Sequence, residues 1–165
     1  MLGISIDNCQ DISRIFIICD IKLKYFLSIY NEPTKMSVKA NLRKLRKKYE
    51  LQQSLLPICI DEGCQKYVLF ELNMDGKTVY VVRGNRNAEY HEEVARKIIN
   101  IYDDNNIDYC IIGGGRIQND THSIEVYGES YGFPWKNGEF KHFVTTEVLK
   151  KQYPDKTVTF RNRGY

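Results

Sequence analysis

The alternation of apolar and polar positions divides the chain into a few short elements. Residues 1–35 show no sustained periodicity, and Pro33 interrupts them. From Met36 to Leu55 the apolar positions Val38, Leu42, Leu45 and Tyr49 recur at steps of four, three and four, which predicts a helix. Lys66–Leu72 and Thr78–Arg83 read as strands. Asn73–Gly76 lies between them, and its Asp-Gly pair is suited to a tight hairpin. A helix is expected from about Ala88 to Asp103, with Asn87 as its cap and a stripe of His91, Val94, Ala95, Ile98 and Tyr102. Tyr109–Ile112 reads as a short buried strand ending in three glycines and Arg116. Ser123–Tyr127 alternates as a half-buried strand. A second helix, capped by Thr145 or Thr146, should run to about Tyr153 and stop before Pro154. Thr157–Phe160 is a last strand. The order predicts an α/β (α+β) domain, one mixed sheet with two helices packed on it.

Charge changes this picture at one end only. Residues 1–56 carry a net charge of +5 and residues 57–165 a net of −2, within a total of +3. We therefore divide the chain into an N-terminal extension, 1–55, with a basic amphipathic helix, and a domain, 56–165. Lys39, Arg43, Lys44, Arg46, Lys47 and Lys48 either form a solvated face or meet an acidic partner or membrane surface. The nearly neutral domain does not have the charge of a nucleic-acid binder. The longest N-terminal apolar run, Ile15–Cys19, is too short to span a membrane. Cys9, Cys19, Cys59, Cys64 and Cys110 are odd in number and form no CxxC, so reduced thiols in a cytoplasmic protein are expected.

Three features could carry chemistry. His91 falls in the first turn of its predicted helix, where free N–H groups welcome an anion and discourage protonation of the ring. A core histidine bonded to a backbone carbonyl would give the same periodicity. Gly113-Gly-Gly-Arg116 permits close backbone approach and offers a forked donor for phosphate, or is a strand end with a surface arginine. Gly128–Gly132, with Ser130, could present consecutive N–H groups to an anion, or simply leave the strand. Lys66 and Arg83 should meet at one rim of the hairpin. His122 and His142 have no metal-like spacing with His91 and are expected to be structural or exposed. Trp135 is expected to be a packing residue in a loop.

Taken together, Lys66-Tyr-Val-Leu69, Val82-Arg-Gly84, Ala88-Glu-Tyr-His91, Gly113-Gly-Gly-Arg-Ile117, Val126-Tyr-Gly128 with Ser130, His142, Tyr153-Pro-Asp155 and Gly164-Tyr165 form an ordered set. Over roughly residues 56–165 the chain resembles the phosphohistidine phosphatase family, also called the Janus family. The resemblance implies a single α/β domain that hydrolyses phosphohistidine in proteins or peptides, with no metal or other cofactor; a monomer without a nucleic-acid partner is expected. It makes His91 catalytic, as nucleophile or general base. It assigns phosphate contacts to Lys66, Arg83, Arg116 and the loop Ser130, Tyr131 and Gly132. The stretch Phe133–Phe140 is longer than in short family members, so a domain that binds phosphohistidine or another anion without turnover is the alternative. An adaptor that recruits a partner through the basic helix is another.

Overall fold

The computed structural model describes residues 32–162, and their side chains from Val38 onward. The unpatterned stretch 1–31, Cys9, Cys19 and the closing Gly164-Tyr165 lie outside the described residues. The chain divides into two compact units, Met1–Glu50 and Leu51–Tyr165, a division five residues before the boundary expected from sequence. In the first unit, helix α1 runs through the division as Glu32–Ser54. Pro33, read above as an interruption, sits in its first turn, where a missing N–H leaves no bond unmade. Val38, Leu42 and Tyr49 are half-buried, but Leu45 is 63% exposed and leaves the expected apolar stripe. No helix among the described residues is long and apolar enough to cross a membrane.

The second unit is a six-stranded mixed sheet with one helix on each face. The strands are β1 (Ile58–Cys59), β2 (Gly63–Met74), β3 (Lys77–Asn85), β4 (Asp108–Asn119), β5 (Ser123–Tyr127) and β6 (Thr157–Phe160), in the order β1-β3-β2-β4-β5-β6. Both edge strands pair in parallel and the inner pairs are antiparallel. The β2–β3 hairpin closes through Asp75 and Gly76, with φ of 52° and 74°, between the paired Met74 and Lys77. Two positive φ values are what the tight hairpin turn requires, and Asp-Gly supplies them at little strain.

Period-two alternation on β2 builds both cores. Val68, Phe70 and Leu72 face helix α2 (His91–Asp104), where Val94, Ala95 and Tyr102 are buried. The Tyr102 ring packs edge-on against Phe70 at 5.8 Å between centroids. Tyr67 and Leu69 face the other way, with Ile117, Val126 and Trp135, against Leu149 of helix α3 (His142–Gln152). Each large apolar side chain removed from water contributes about 1.5–3 kcal/mol, so the two layers hold the sheet from both sides.

Three local expectations are corrected. Helix α2 begins at His91 behind Tyr90, and no side chain caps it. Asn87 lies instead in a turn in which its N–H donates to Asn85 Oδ1 at 2.8 Å. Helix α3 begins at His142, so Thr145 and Thr146 are interior. The Thr146 hydroxyl bonds back to the His142 carbonyl at 2.8 Å. Strand β4 does not end at the glycines but runs through them to Asn119. Leu69 faces Gly113 and Phe70 faces Ile111, so Ile112 is the extra residue of a bulge in β4.

Candidate active site

The site lies on the α2 face of the two central strands. Lys66 on β2 pairs directly with Arg116 on β4, so the register places the two cations side by side on one face. Both are half-buried. Lys66 Nζ also donates to the Ala88 carbonyl at 3.2 Å, which ties the cation to the segment leading into α2. His91 follows as the first residue of that helix, and its ring lies over β4. Its Nε2 is 2.9 Å from the Gly115 carbonyl oxygen. A carbonyl only accepts, so Nε2 carries the proton and Nδ1 keeps its lone pair.

Burial lowers the pKa of His91 from its ordinary value. The bond to Gly115 opposes this, Lys66 adds to it, Glu92 opposes it, and Arg116 adds to it. The ring is therefore a neutral imidazole near pH 7, with one defined tautomer beside two cations.

The glycines of β4 make this approach possible. A Cβ on Gly114 would lie 2.8 Å from the Tyr67 carbonyl, 3.1 Å from Ser130 Cβ and 3.3 Å from His91 Cδ2. Two of those neighbours belong to the site, so an alanine there would push His91 and Ser130 apart. On the opposite face, a Cβ on Gly113 would overlap the Trp135 indole. Trp135 is buried against Phe140 and His142, and is the packing residue expected.

The loop after β5 is held from behind. His142, fully buried, donates from Nε2 to the Gly128 carbonyl at 2.9 Å and accepts at Nδ1 from the Tyr67 hydroxyl at 2.8 Å. Burial lowers its pKa to about 4, against the opposing bond to Gly128, and burial also holds the Tyr67 phenol protonated. His142 is thus a structural pin. Gly128 has φ of 70°, where a side chain would be strained. Ser130 is buried beside Gly114, and its Oγ accepts the Phe133 N–H at 3.1 Å, closing the loop into a turn. The Ser130 hydroxyl proton remains available to an acceptor. Tyr131 at the tip is 88% exposed. Gly132 lies against Glu92: a Cβ there would overlap the carboxylate.

The structure thus brings Lys66, Arg116, His91 and Ser130 together, with Tyr131 and Gly132 at the rim. Arg83 is the exception. It pairs with Val68, two residues inward from Lys66 along β2, and is only 3% exposed. Its guanidinium donates to the carbonyls of Val82 at 2.8 Å, Ser54 at 2.6 Å and Leu56 at 2.6 Å. The expected meeting of Lys66 and Arg83 at one rim is therefore corrected. The arginine fork is committed to the chain that leaves α1. Sequence reasoning also missed Glu92, because its neighbour Gly132 is 40 residues away and no spacing signals the contact. No group of three or more His, Cys, Asp or Glu side chains that could hold a metal ion occurs among the described residues.

Comparison with known proteins matches residues 53–157 to the model of the Janus/Ocnus family (Ocnus). A 14 kDa phosphohistidine phosphatase of Sus scrofa is 35% identical over 113 residues, covering 63% of this chain and 86% of that protein. The Homo sapiens protein of the same name is 34% identical over 113 residues, covering 63% and 87%. The sex-regulated protein janus-B of Drosophila erecta is 32% identical over 110 residues, covering 62% and 75%.

Proposed function

Because this chain belongs to the Janus/Ocnus family, we propose that it is a protein phosphohistidine phosphatase in which His91 Nδ1 is the reacting atom. The observation that carries this reading is the bond from His91 Nε2 to Gly115. It leaves the lone pair of a neutral ring free on Nδ1 while Lys66 and Arg116 act on that ring as neighbouring positive charges. A phosphoryl group placed there is neutralised by the two cations and by the Ser130 hydroxyl.

Attack by Nδ1 on phosphorus forms a new P–N bond. The substrate ring carries a proton on its other nitrogen, the electron pair of its P–N bond returns to the ring nitrogen that held phosphorus, and the substrate histidine leaves as neutral imidazole. Phosphorylated His91 is then an imidazolium whose remaining N–H bonds to the Gly115 carbonyl, which stabilises the positive charge. Water hydrolyses this phosphoenzyme. Each step exchanges one phosphorus–nitrogen bond for another or for P–O, and the protein's cations neutralise the oxygens throughout.

The test is turnover of a phosphohistidine peptide by wild type and His91→Ala, with rapid-quench labelling of the protein. Loss of turnover in a folded variant and acid-labile label on His91 in the wild type support the reading. Turnover without label would assign His91 Nδ1 to proton abstraction from water instead. Full turnover in His91→Ala would remove His91 from the chemistry.

A further inference from the structure

The carboxylate of Glu92 is out of place in a site meant for a phosphoryl group. Glu92 is the second residue of α2, directly after His91, and it is exposed. A Cβ on Gly132 would place Glu92 Cδ 2.8 Å and Oε2 3.4 Å away, with Oε1 nearer still. The acid therefore rests on the loop that begins at buried Ser130, whose Cβ and His91 Cδ2 border the same glycine, Gly114. Lys66 and Arg116, the other charges that act on the His91 ring, are cations. A negative charge at this edge lowers the affinity for any phosphate dianion. An acid in the first turn suits the helix dipole, and its place against Gly132 also lets it act on what the phosphoryl group is attached to.

The two classes of phosphorylated side chain differ there. In a phosphohistidine, the ring nitrogen not bound to phosphorus takes a proton, and the group is then cationic. When the P–N bond breaks, its electron pair discharges that ring and the leaving group is neutral imidazole. In a phosphoester the departing oxygen takes the electron pair and becomes an anion. A carboxylate beside the loop attracts the first and repels the second.

We propose that Glu92 is a specificity-determining residue, selecting phosphoryl groups carried on a protonated nitrogen over phosphoesters and free phosphate. This rests on the phosphatase reading above and adds to it the choice of leaving group. Glu92 receives the N–H of the substrate ring at the mouth of the site, while Lys66 and Arg116 hold the oxygens.

Glu92→Gln keeps the shape and removes the charge at an exposed position. The experiment compares kcat/KM for a phosphohistidine peptide and for p-nitrophenyl phosphate in wild type and Glu92→Gln. It also measures inorganic phosphate binding to both proteins by calorimetry. The ratio of phosphohistidine to p-nitrophenyl phosphate turnover should fall on the order of tenfold, and phosphate should bind several-fold tighter. A ratio within twofold of wild type, with unchanged phosphate affinity, overturns the proposal. Wild-type protein that fails to turn over phosphohistidine would overturn the phosphatase reading itself. The phosphate titration would still report whether Glu92 repels an anion at this loop.

Discussion

Replacing Arg83 with methionine separates a structural arginine from a phosphate ligand. Methionine retains most of the aliphatic stem, so the main loss is the guanidinium and its bonds to Val82, Ser54 and Leu56. Charge-assisted bonds contribute about 1.5–3 kcal/mol each, which bounds the loss from above at roughly 5–9 kcal/mol. Two features reduce it. The Ser54 carbonyl keeps its bond from the Tyr102 hydroxyl at 2.5 Å, and water reaches the exposed Leu56. About 3–5 kcal/mol is then expected, in line with breaking other buried charged contacts. At a urea dependence of roughly 2 kcal/mol per molar, the midpoint should fall by about 2 M. The folded fraction should keep kcat/KM for a phosphohistidine peptide within about twofold, because the Arg83 guanidinium is bonded to the chain leaving α1 and not to the proposed phosphoryl site. A phosphate ligand would behave in the opposite way, with an unchanged midpoint and a tenfold to hundredfold loss of activity, on the scale of about 1.5–3 kcal/mol. That outcome would refute the assignment. The same logic distinguishes two truncations. A chain beginning at Leu51 keeps Ser54 and Leu56 and should keep the wild-type midpoint. One beginning at Pro57 removes both acceptors and should unfold at least as early as Arg83→Met.

On the chemistry proposed above, the neutral His91 ring reacts, and its pKa is lowered, so the acid limb of kcat/KM should lie below pH 6.5. Lys66→Met removes one lowering charge and should move that limb to higher pH, and a pH–rate profile with the wild-type limb above 6.5 contradicts this. His142 titrates near 4 when folded and near 6.5 when unfolded, so the unfolded chain binds the extra proton between those values. Stability should therefore be complete above pH 6.5 and decline as pH falls towards 4, by about 3 kcal/mol in all. Urea midpoints across that range should show the slope in wild type and lose it in His142→Gln. Gly113→Ala sets a methyl into the Trp135 indole and should lower stability by about 1–3 kcal/mol with a shift in tryptophan fluorescence. Turnover should survive a strong chelator, and loss restored by a single divalent ion would overturn that expectation.

The elements that sequence located well are those with an unambiguous period. Ser123–Tyr127 and Thr157–Phe160 appear with the bounds expected, and the stripe Val94, Ala95 and Tyr102 is buried as a helical spacing requires. The Asp-Gly turn is equally legible, because φ > 0 at two successive positions restricts the residue types. The misses have physical causes. Strand β1 is two residues long and carries no period. Gly113–Gly115 looked like a strand end because glycine weakens a strand. Here the absent side chains are what let Trp135, His91 and His142 close on β4. Of the candidate site, Lys66, Arg116 and His91 were legible through motif and order. The commitment of Arg83 was not, because its acceptors are backbone carbonyls that any sequence could supply.

Gly115 links the two faces of the sheet. Its carbonyl fixes the tautomer of His91 on one side. A Cβ on it would lie 3.1 Å from the His142 ring on the other, and 3.0 Å from the carbonyl that His142 holds. Two helices that share no face of the sheet are thus gauged against one peptide unit. A side chain at position 115 would therefore press on the α3 layer while disturbing the peptide unit whose carbonyl holds His91 in the α2 layer.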